Sequence, residues 1–215
     1  MLSETKRGQG DAAAPGGRTD PGDHFAVLGI ERSWHLDTAR LAARHLALSR
    51  ELHPDRFAQA SPRERLLSLE RTTALNDAYR TLRDPIRRAE YILRQAGIGH
   101  GDHDHELGHE TGGVDHEFLE KIMHMRERML ELGIAGGRGG EHPEALAMRT
   151  AAAAAIDDLD RQIDAEFTAW ERDPGGSGSR AALVQVDRCL AQRRYYVNIL
   201  REIDGEDVLA GHGTL

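Results

Sequence analysis

The chain has 215 residues, of which 39% are hydrophobic and 5% aromatic, and its formal net charge is −8. This length leaves room for one or two domains, and the negative charge argues against non-specific binding to nucleic acid or to anionic membranes. The one cysteine, Cys189, excludes an intramolecular disulfide and a thiolate metal cage within one chain, which fits a reducing cytoplasm.

Residues 1–22 mix glycine, alanine, proline, threonine and charges without a period, so we expect a disordered tail. The tail has no apolar core of the kind a signal peptide needs, and its acidic residues argue against an organelle transit peptide. No apolar run in the chain approaches the length of a membrane span.

Capping signals predict four helices between residues 23 and 97. They run from Asp23 to Gly29, from Asp37 to about Leu52, from Ser61 to about Arg83, and from Ile86 to Gln95. Ser61 and Glu64, three residues apart with proline between them, form a capping box. With no alternating strand pattern of useful length, the sequence predicts an all-α protein.

The tripeptide His53-Pro54-Asp55 separates the second and third predicted helices. Proline disfavours the helical conformation in the residue before it, so the helix should stop at or just before His53. An imidazole and a carboxylate then lie side by side on a short, stiff, exposed turn, which can present a charge to a partner at little entropic cost. The alternative is a plain helix stop followed by a polar loop, and the tripeptide alone is a modest hint.

Four features together resemble a J-domain. They are Phe25-x-x-Leu28-Gly29, the basic helix that carries Arg40, Arg44 and Arg50, the pentapeptide His53-Pro54-Asp55-Arg56-Phe57, and Leu75-Asn76-x-Ala78-Tyr79-x-x-Leu82. The stretch Thr81-Leu82-Arg83-Asp84-Pro85 … Arg88-Ala89-Glu90-Tyr91-Ile92-Leu93 is similar to the HscB subfamily of J-domain proteins. The glycine/phenylalanine-rich region and the zinc-binding cysteine repeats of general J-domain chaperones are absent from the sequence, which also favours this specialist subfamily. His45 stands where the subfamily usually has an aromatic residue, and we expect it at the edge of the core.

The resemblance implies two partners. J-domain proteins act on seventy-kilodalton heat-shock ATPase chaperones, and HscB proteins deliver the iron–sulfur cluster scaffold protein to one of them. Asp55 is then expected to pair with a basic group on the chaperone. The residues expected to attract its acidic surface and set its orientation are Arg40, Arg44, Arg50 and Arg56. His53 and Pro54 complete the predicted chaperone-binding set.

Residues 98–114 form a linker dense in His, Asp and Glu. One interpretation is a divalent-metal site, whose ligands would be His103, His105 and His109 with Asp102 and Asp104. The other is a flexible hinge with incidental histidines, which the many glycines and the lack of a fixed scaffold favour. We therefore predict no metal and no cofactor.

Residues 115–204 are predicted to form a three-helix bundle, followed by a tail at 205–215. Its helices start near Asp115 and run to about Leu132, from about Pro143 to Arg172, and from about Arg180 to Ile203. A seam in the first helix is spaced 4, 3, 4 and 3, through Phe118, Ile122, Met125, Met129 and Leu132.

A second apolar row lies beside that seam, formed by Leu119, Met123 and Leu130. By composition it either packs on the third helix of the bundle or forms a spare surface, for which methionine is well suited. The resemblance implies a surface that binds the client. The implied contacts are Leu119, Met123, Glu127, Glu131 and, unless it serves only core packing, Tyr195. At two positions on this face the chain departs from the subfamily, with Glu120 for an apolar residue and His124 for an acid.

The sequence thus predicts a cytoplasmic co-chaperone rather than an enzyme. Its J-domain, residues 23–97, would stimulate the chaperone ATPase, and its bundle would hold the cluster scaffold. Two alternatives stay open. The bundle could serve an unrelated client, or the chain could be a metal-dependent regulator that uses the linker histidines.

Overall fold

The computed structural model of the chain describes residues 22–57, 59–99, 113–134 and 142–205. In these residues all regular structure is helical, which confirms the predicted all-α class. The helices are α1 (His24–Leu28), α2 (Thr38–Leu52), α3 (Pro62–Arg83), α4 (Pro85–Gln95), α5 (His116–Glu131), α6 (Pro143–Arg172) and α7 (Ser179–Asp204). The predicted tails, apart from residues 22 and 205, and linker residues 100–112 lie outside the described residues.

Helices α1, α2, α3 and α5 begin at the side-chain caps predicted from the sequence. Asp23, Asp37 and Asp115 each accept a hydrogen bond from a backbone N–H of the first turn that follows. At α3, the backbone N–H of Ser61 donates to Glu64 Oε2 at 2.9 Å, and the N–H of Glu64 donates to Ser61 Oγ at 3.3 Å. The capping box is thus confirmed. Hydrogen bonds from Ser61 also hold the pKa of the Glu64 carboxyl below its usual value.

The chain separates into two compact units. The first contains the described residues up to Arg32 together with Asp37–Arg80, and the second contains Ser33–Leu36 and the described residues from Thr81 onward. The buried apolar residues of the first unit are Phe25, Leu28, Leu41, Leu75 and Ala78. None of the helices in the described part of the chain is long and apolar enough to cross a membrane.

Helices α2 and α3 of the first unit are antiparallel. His45, in the middle of α2, stacks on Tyr79 with ring centres 4.2 Å apart, and its Nε2 lies 3.0 Å from Asn76 Oδ1. Leu52, at the end of α2, meets Ser68 near the start of α3. Later residues of α2 therefore face earlier residues of α3. His45 is half-buried between the two helices, as expected for a residue at the edge of the core.

In the second unit α7 is the common neighbour, since α4, α5 and α6 all pack against it. The predicted seam of α5 faces inward: Phe118, Ile122 and Met129 are buried, and Met125 and Leu132 are half-buried. The second unit thus contains the predicted three-helix bundle, with α4 packed against α7.

The segment Ser33–Leu36, for which the sequence analysis predicts no role, is fixed to α6 by several contacts. Trp34 is buried and stacks on Phe167 with ring centres 4.3 Å apart, while its Nε1 donates to Asp164 Oδ1 at 2.9 Å. Glu171 accepts hydrogen bonds from the Ser33 hydroxyl, at 2.8 Å, and from the backbone N–H of Trp34. This short segment is therefore part of the core of the second unit.

Arg88 of α4 is buried beside the same tryptophan. The central carbon of its guanidinium lies 4.7 Å from the Trp34 ring centre, and Nη1 donates to the Leu82 carbonyl at 2.8 Å. Burial lowers the pKa of Arg88, and the nearby carboxylates of Asp84 and Glu171 oppose that shift. The cation is retained because the ring face and the carbonyl replace part of its hydration.

Gly29 ends α1 in a conformation that favours glycine, with φ of 62°. Arg44 of α2 approaches it closely, and its Nε donates to the Leu28 carbonyl at 3.0 Å. A Cβ on Gly29 would lie 2.9 Å from Arg44 Nη2. The glycine thus allows both the turn and the contact of Arg44 with the end of α1.

We expect Gly29→Ala to lower the free energy of unfolding by about 1–2 kcal/mol, because a left-handed conformation is strained for alanine. The new Cβ would also displace the arginine that caps α1. Urea unfolding followed by helical circular dichroism measures the change. Gly22→Ala is the matched control, since a Cβ there meets nothing within 4 Å. Equal midpoints for the two variants would contradict this account of the turn.

Candidate functional site

The first candidate site is the turn after α2. The helix ends at Leu52, and His53 follows with φ of −56° and ψ of 131°, the extended conformation expected before a proline. Residues Pro54–Phe57 then form one turn of 3₁₀-helix. The predicted helix stop is confirmed.

The side chains of His53 and Asp55 both face solvent. The Asp55 side chain is 90% exposed and that of His53 is 58% exposed. His53 Nδ1 accepts a hydrogen bond from the backbone N–H of Asp55 at 3.3 Å and lies 3.5 Å from Asp55 Oδ2. The imidazole therefore stiffens the turn from within, while the carboxylate stays accessible to a partner.

The end of α2 is attached to α3 through a single carbonyl group. The Leu52 carbonyl accepts hydrogen bonds from Ser68 Oγ at 2.9 Å and from Thr72 Oγ1 at 3.2 Å. Thr72 shares its one proton between Leu52 and the Ser68 carbonyl, at 2.8 Å. Carbonyls in the last turn of a helix have no partner within that helix, and the N–H of Arg56, which would reach Leu52 if the helix continued, donates to the His53 carbonyl instead. The two hydroxyls therefore satisfy the Leu52 carbonyl. The start of the turn is thus attached to α3, while the Asp55 side chain points away from the core into solvent.

Sequence reasoning missed Ser68 and Thr72. A signal was present: the two hydroxyl residues are four positions apart and on the same side of α3 as the buried Leu75. Ser68 is itself buried, and a buried hydroxyl needs a partner. The facing end of a helix is one of the few places that offers an unsatisfied carbonyl.

The four predicted arginines of this surface are all exposed but do not have equal roles. Arg44 donates to the Leu28 carbonyl at the end of α1, and Arg56 Nη1 donates to the Arg50 carbonyl in the last turn of α2 at 3.4 Å. Arg44 and Arg56 therefore support the fold of the unit as well as its charge. Arg40 and Arg50 add positive charge along α2.

The second candidate site is the exposed side of α5. Met123 is 70% exposed and Leu130 is 72% exposed, whereas Leu119 is half-buried. The side of the helix that faces the bundle is marked by the buried Ile122 and Met129. The second apolar row therefore faces solvent at Met123 and Leu130 rather than a third helix.

Acidic residues border this row. Glu127 is exposed, with Oε2 3.8 Å from His124 Nδ1, and Glu120 pairs with His116 at 3.1 Å. Glu131 accepts a hydrogen bond from Arg128 Nη1 at 2.8 Å. Its carboxylate is thus partly neutralised by a residue of its own helix.

Arg128 also joins α5 to α6. Its Nε and Nη2 donate to the two carboxylate oxygens of Glu144, each at 2.9 Å. These bonds raise the pKa of Arg128 and lower that of Glu144. Glu131 therefore shares Arg128 with Glu144, whose pairing with that arginine fixes the start of α6.

Tyr195 of α7, the predicted aromatic of the client surface, is half-buried. Its ring meets that of Phe118 edge-on, with centres 5.7 Å apart. Phe118 belongs to the inward seam of α5, so Tyr195 contributes to the α5–α7 contact. The structure thus shows a packing contact for Tyr195, and its part in client binding stays a prediction.

In the described part of the chain no three His, Cys, Asp or Glu residues lie close enough together to hold a metal ion. The five linker residues considered as ligands, between 102 and 109, lie outside the described residues. Cys189 is buried, and burial raises the pKa of its thiol.

The chain is similar to curated proteins named co-chaperone protein HscB homolog. It is 41% identical over 111 residues to those of Aliivibrio salmonicida (strain LFI1238) and Shewanella sp. (strain ANA-3). The match covers 51% of this chain in both cases, and 61% and 60% of the two relatives. The chain thus spans about three fifths of the length of the curated relatives it matches. No protein-family model matches the chain.

Solved structures agree over a longer part of the chain. Chaperone HscB from Vibrio cholerae matches with a TM-score of 0.60 and 25% identity, covering 84% of this chain and 94% of that one. Human co-chaperone protein HscB matches with a TM-score of 0.60 and 28% identity, covering 93% and 92%. These findings confirm the resemblance first drawn from His53-Pro54-Asp55 and its neighbours: the chain is similar to the HscB co-chaperones and shares the all-α fold of their solved structures, which have an N-terminal J-domain followed by a C-terminal helical bundle.

Proposed function

We propose that this chain is an HscB-type co-chaperone. It stimulates the ATPase of a seventy-kilodalton heat-shock chaperone and delivers the iron–sulfur cluster scaffold protein to it. The observation that carries this proposal is the 90% exposed carboxylate of Asp55 on a turn that two hydroxyls of α3 hold from behind. The likeness to proteins named HscB co-chaperones supports it.

Asp55 forms the central contact with the chaperone. A carboxylate and a guanidinium match in charge and in planar geometry, so an arginine of the chaperone is the expected partner. Because the turn is already fixed, little conformational entropy is lost on docking. Arg40 and Arg50 raise the association rate by attracting an acidic surface.

Stimulation of the ATPase is a shift in population. The J-domain, residues 23–97, binds the hydrolysis-competent conformation of the chaperone better than the resting conformation, and this difference in affinity favours the former. Hydrolysis takes place in the active site of the chaperone. The chain contributes binding free energy rather than a reacting group.

The bundle, residues 115–204, binds the client and holds it for the chaperone. Leu119, Met123 and the acidic residues beside them bind the cluster scaffold protein, and the chain then holds it near the chaperone. A second binding event within one assembly gains from a high effective concentration. The iron–sulfur cluster stays on the scaffold protein, because Cys189, the cysteine of this chain, is buried. Delivery of the scaffold protein to the chaperone takes place in the cytoplasm.

A co-chaperone for a different client is the second candidate. The observation in its favour is Glu120, which the subfamily replaces by an apolar residue and which here is exposed and paired with His116. A direct binding measurement with the purified scaffold separates the two candidates.

Replacing Asp55 by asparagine should reduce stimulation of the chaperone ATPase by at least about tenfold, since a charge-assisted hydrogen bond is worth roughly 1.5–3 kcal/mol. Stability should change by less than about 0.5 kcal/mol, because an exposed side chain contributes little to folding. Steady-state ATP hydrolysis by the chaperone from the same organism and urea unfolding measure the two quantities.

Glu51→Gln is the matched control for Asp55→Asn, since it removes an exposed carboxylate four residues earlier, on α2. It should leave stimulation unchanged. Full stimulation by Asp55→Asn would contradict the proposal and indicate that the tripeptide serves only to end the helix. An equal loss in both variants would indicate a general effect of charge instead of a specific pair.

Met123→Ser should weaken binding of the scaffold protein by about tenfold, the loss expected when a buried apolar contact in the complex is removed. Stimulation of the chaperone in the absence of scaffold should be unaffected. Isothermal titration calorimetry and the ATPase assay provide the measurements. Unchanged scaffold affinity would show that the exposed side of α5 is not the client surface.

A further inference from the structure

Leu130 is a strongly exposed apolar side chain of the row on α5, and the client contacts proposed above do not include it. At 72% exposure it is as open to solvent as Met123, at 70%. The two residues are seven positions apart. Seven residues are two helical turns, so both side chains lie on the same side of α5, about 10 Å apart along the helix. Met129, the preceding residue, is buried, so α5 keeps its inward seam at this level.

The side chains that border Leu130 differ on its two flanks. On one flank are the exposed carboxylates of Glu127 and of Glu131, the latter paired with Arg128 of the same helix. On the other, Arg126 Nη2 is already paired with Glu202 of α7 at 2.8 Å. A partner of this side of the helix therefore meets an apolar ridge with negative charge along one border. Complementary chemistry is an apolar strip with a lysine or arginine beside it.

We propose that Leu130 is a further client-binding residue and sets part of the specificity for the client. The apolar ridge begins at Leu119 and extends past Met123 to Leu130, about 16 Å along α5 at 1.5 Å per residue. Its occupant is the iron–sulfur scaffold protein, bound through an apolar strip bordered by basic residues. This inference rests on the proposed function and adds Leu130 to the client contacts, between Glu127 and Glu131.

The length of the ridge has a consequence for specificity. A client that contacts only Leu119 and Met123 leaves Leu130 in water and gains nothing from it, whereas a client with a longer apolar strip buries all three side chains. Binding affinity then discriminates between partners by the length of their apolar strip. Positions i, i+4 and i+11 lie on one side of a helix, because eleven residues complete close to three turns.

The test is calorimetric titration of the full-length chain with the purified scaffold protein. Leu130→Ala should weaken binding about tenfold, which corresponds to about 1.4 kcal/mol. Leu130→Met, which keeps the apolar volume, should bind within about twofold of the unaltered chain. Leu146→Ala is the matched control, because Leu146 is 60% exposed but lies on α6, and it should have no effect.

Alanine favours helix, so Leu130→Ala should retain its stability in urea, and a loss of affinity then reports contact. Equal affinity of Leu130→Ala and the unaltered chain, with Met123→Ser impaired, would overturn the inference and leave the proposed function standing. Equal losses for Leu130→Ala and Leu146→Ala would also overturn it. If the unaltered chain did not bind the scaffold at all, the proposed client would be wrong and this inference with it.

Discussion

The hydrogen bonds that the Leu52 carbonyl accepts from Ser68 and Thr72 are the contact on which the first site depends. A helix that ends before a proline leaves its last carbonyls without partners, and here α3 supplies them. The end of α2 is thereby attached to its neighbour at the point where the chain turns. Asp55 can then remain exposed without the turn becoming loose. Rigidity and accessibility, which a single loop rarely combines, come from different residues.

The first site needs a rigid turn, whereas the second site needs an apolar surface that can adapt to a partner. Helix α5 buries the seam that contains Ile122 and Met129, and on another side leaves Met123 and Leu130 in water. Unbranched methionine adapts its shape to a partner, which suits a client that must be bound and later released. Under the proposed function, one chain carries a fixed charge for the chaperone and an adaptable apolar ridge for the client.

Local chemistry made much of this fold predictable. Asp37 and the Ser61–Glu64 capping box mark helix starts through contacts within a few residues, and His53-Pro54-Asp55 marks a helix end in the same way. The inward seam of α5 follows from its spacing. The partner of a helix face depends on tertiary packing. The stacking of Trp34 on Phe167, and the position of Arg88 over the Trp34 ring, therefore could not be predicted from local sequence patterns. The structural role of Arg44 was missed for the same reason, because its partner is a backbone carbonyl.

The central claim is that the chain brings the scaffold protein and the chaperone together. Steady-state ATP hydrolysis by the seventy-kilodalton chaperone of the same organism tests it most directly, with the chain alone, the scaffold alone, and both together. The account predicts that stimulation by both exceeds the sum of the separate effects, because the chain presents the scaffold at high effective concentration. Stimulation by both that merely equals this sum would contradict it.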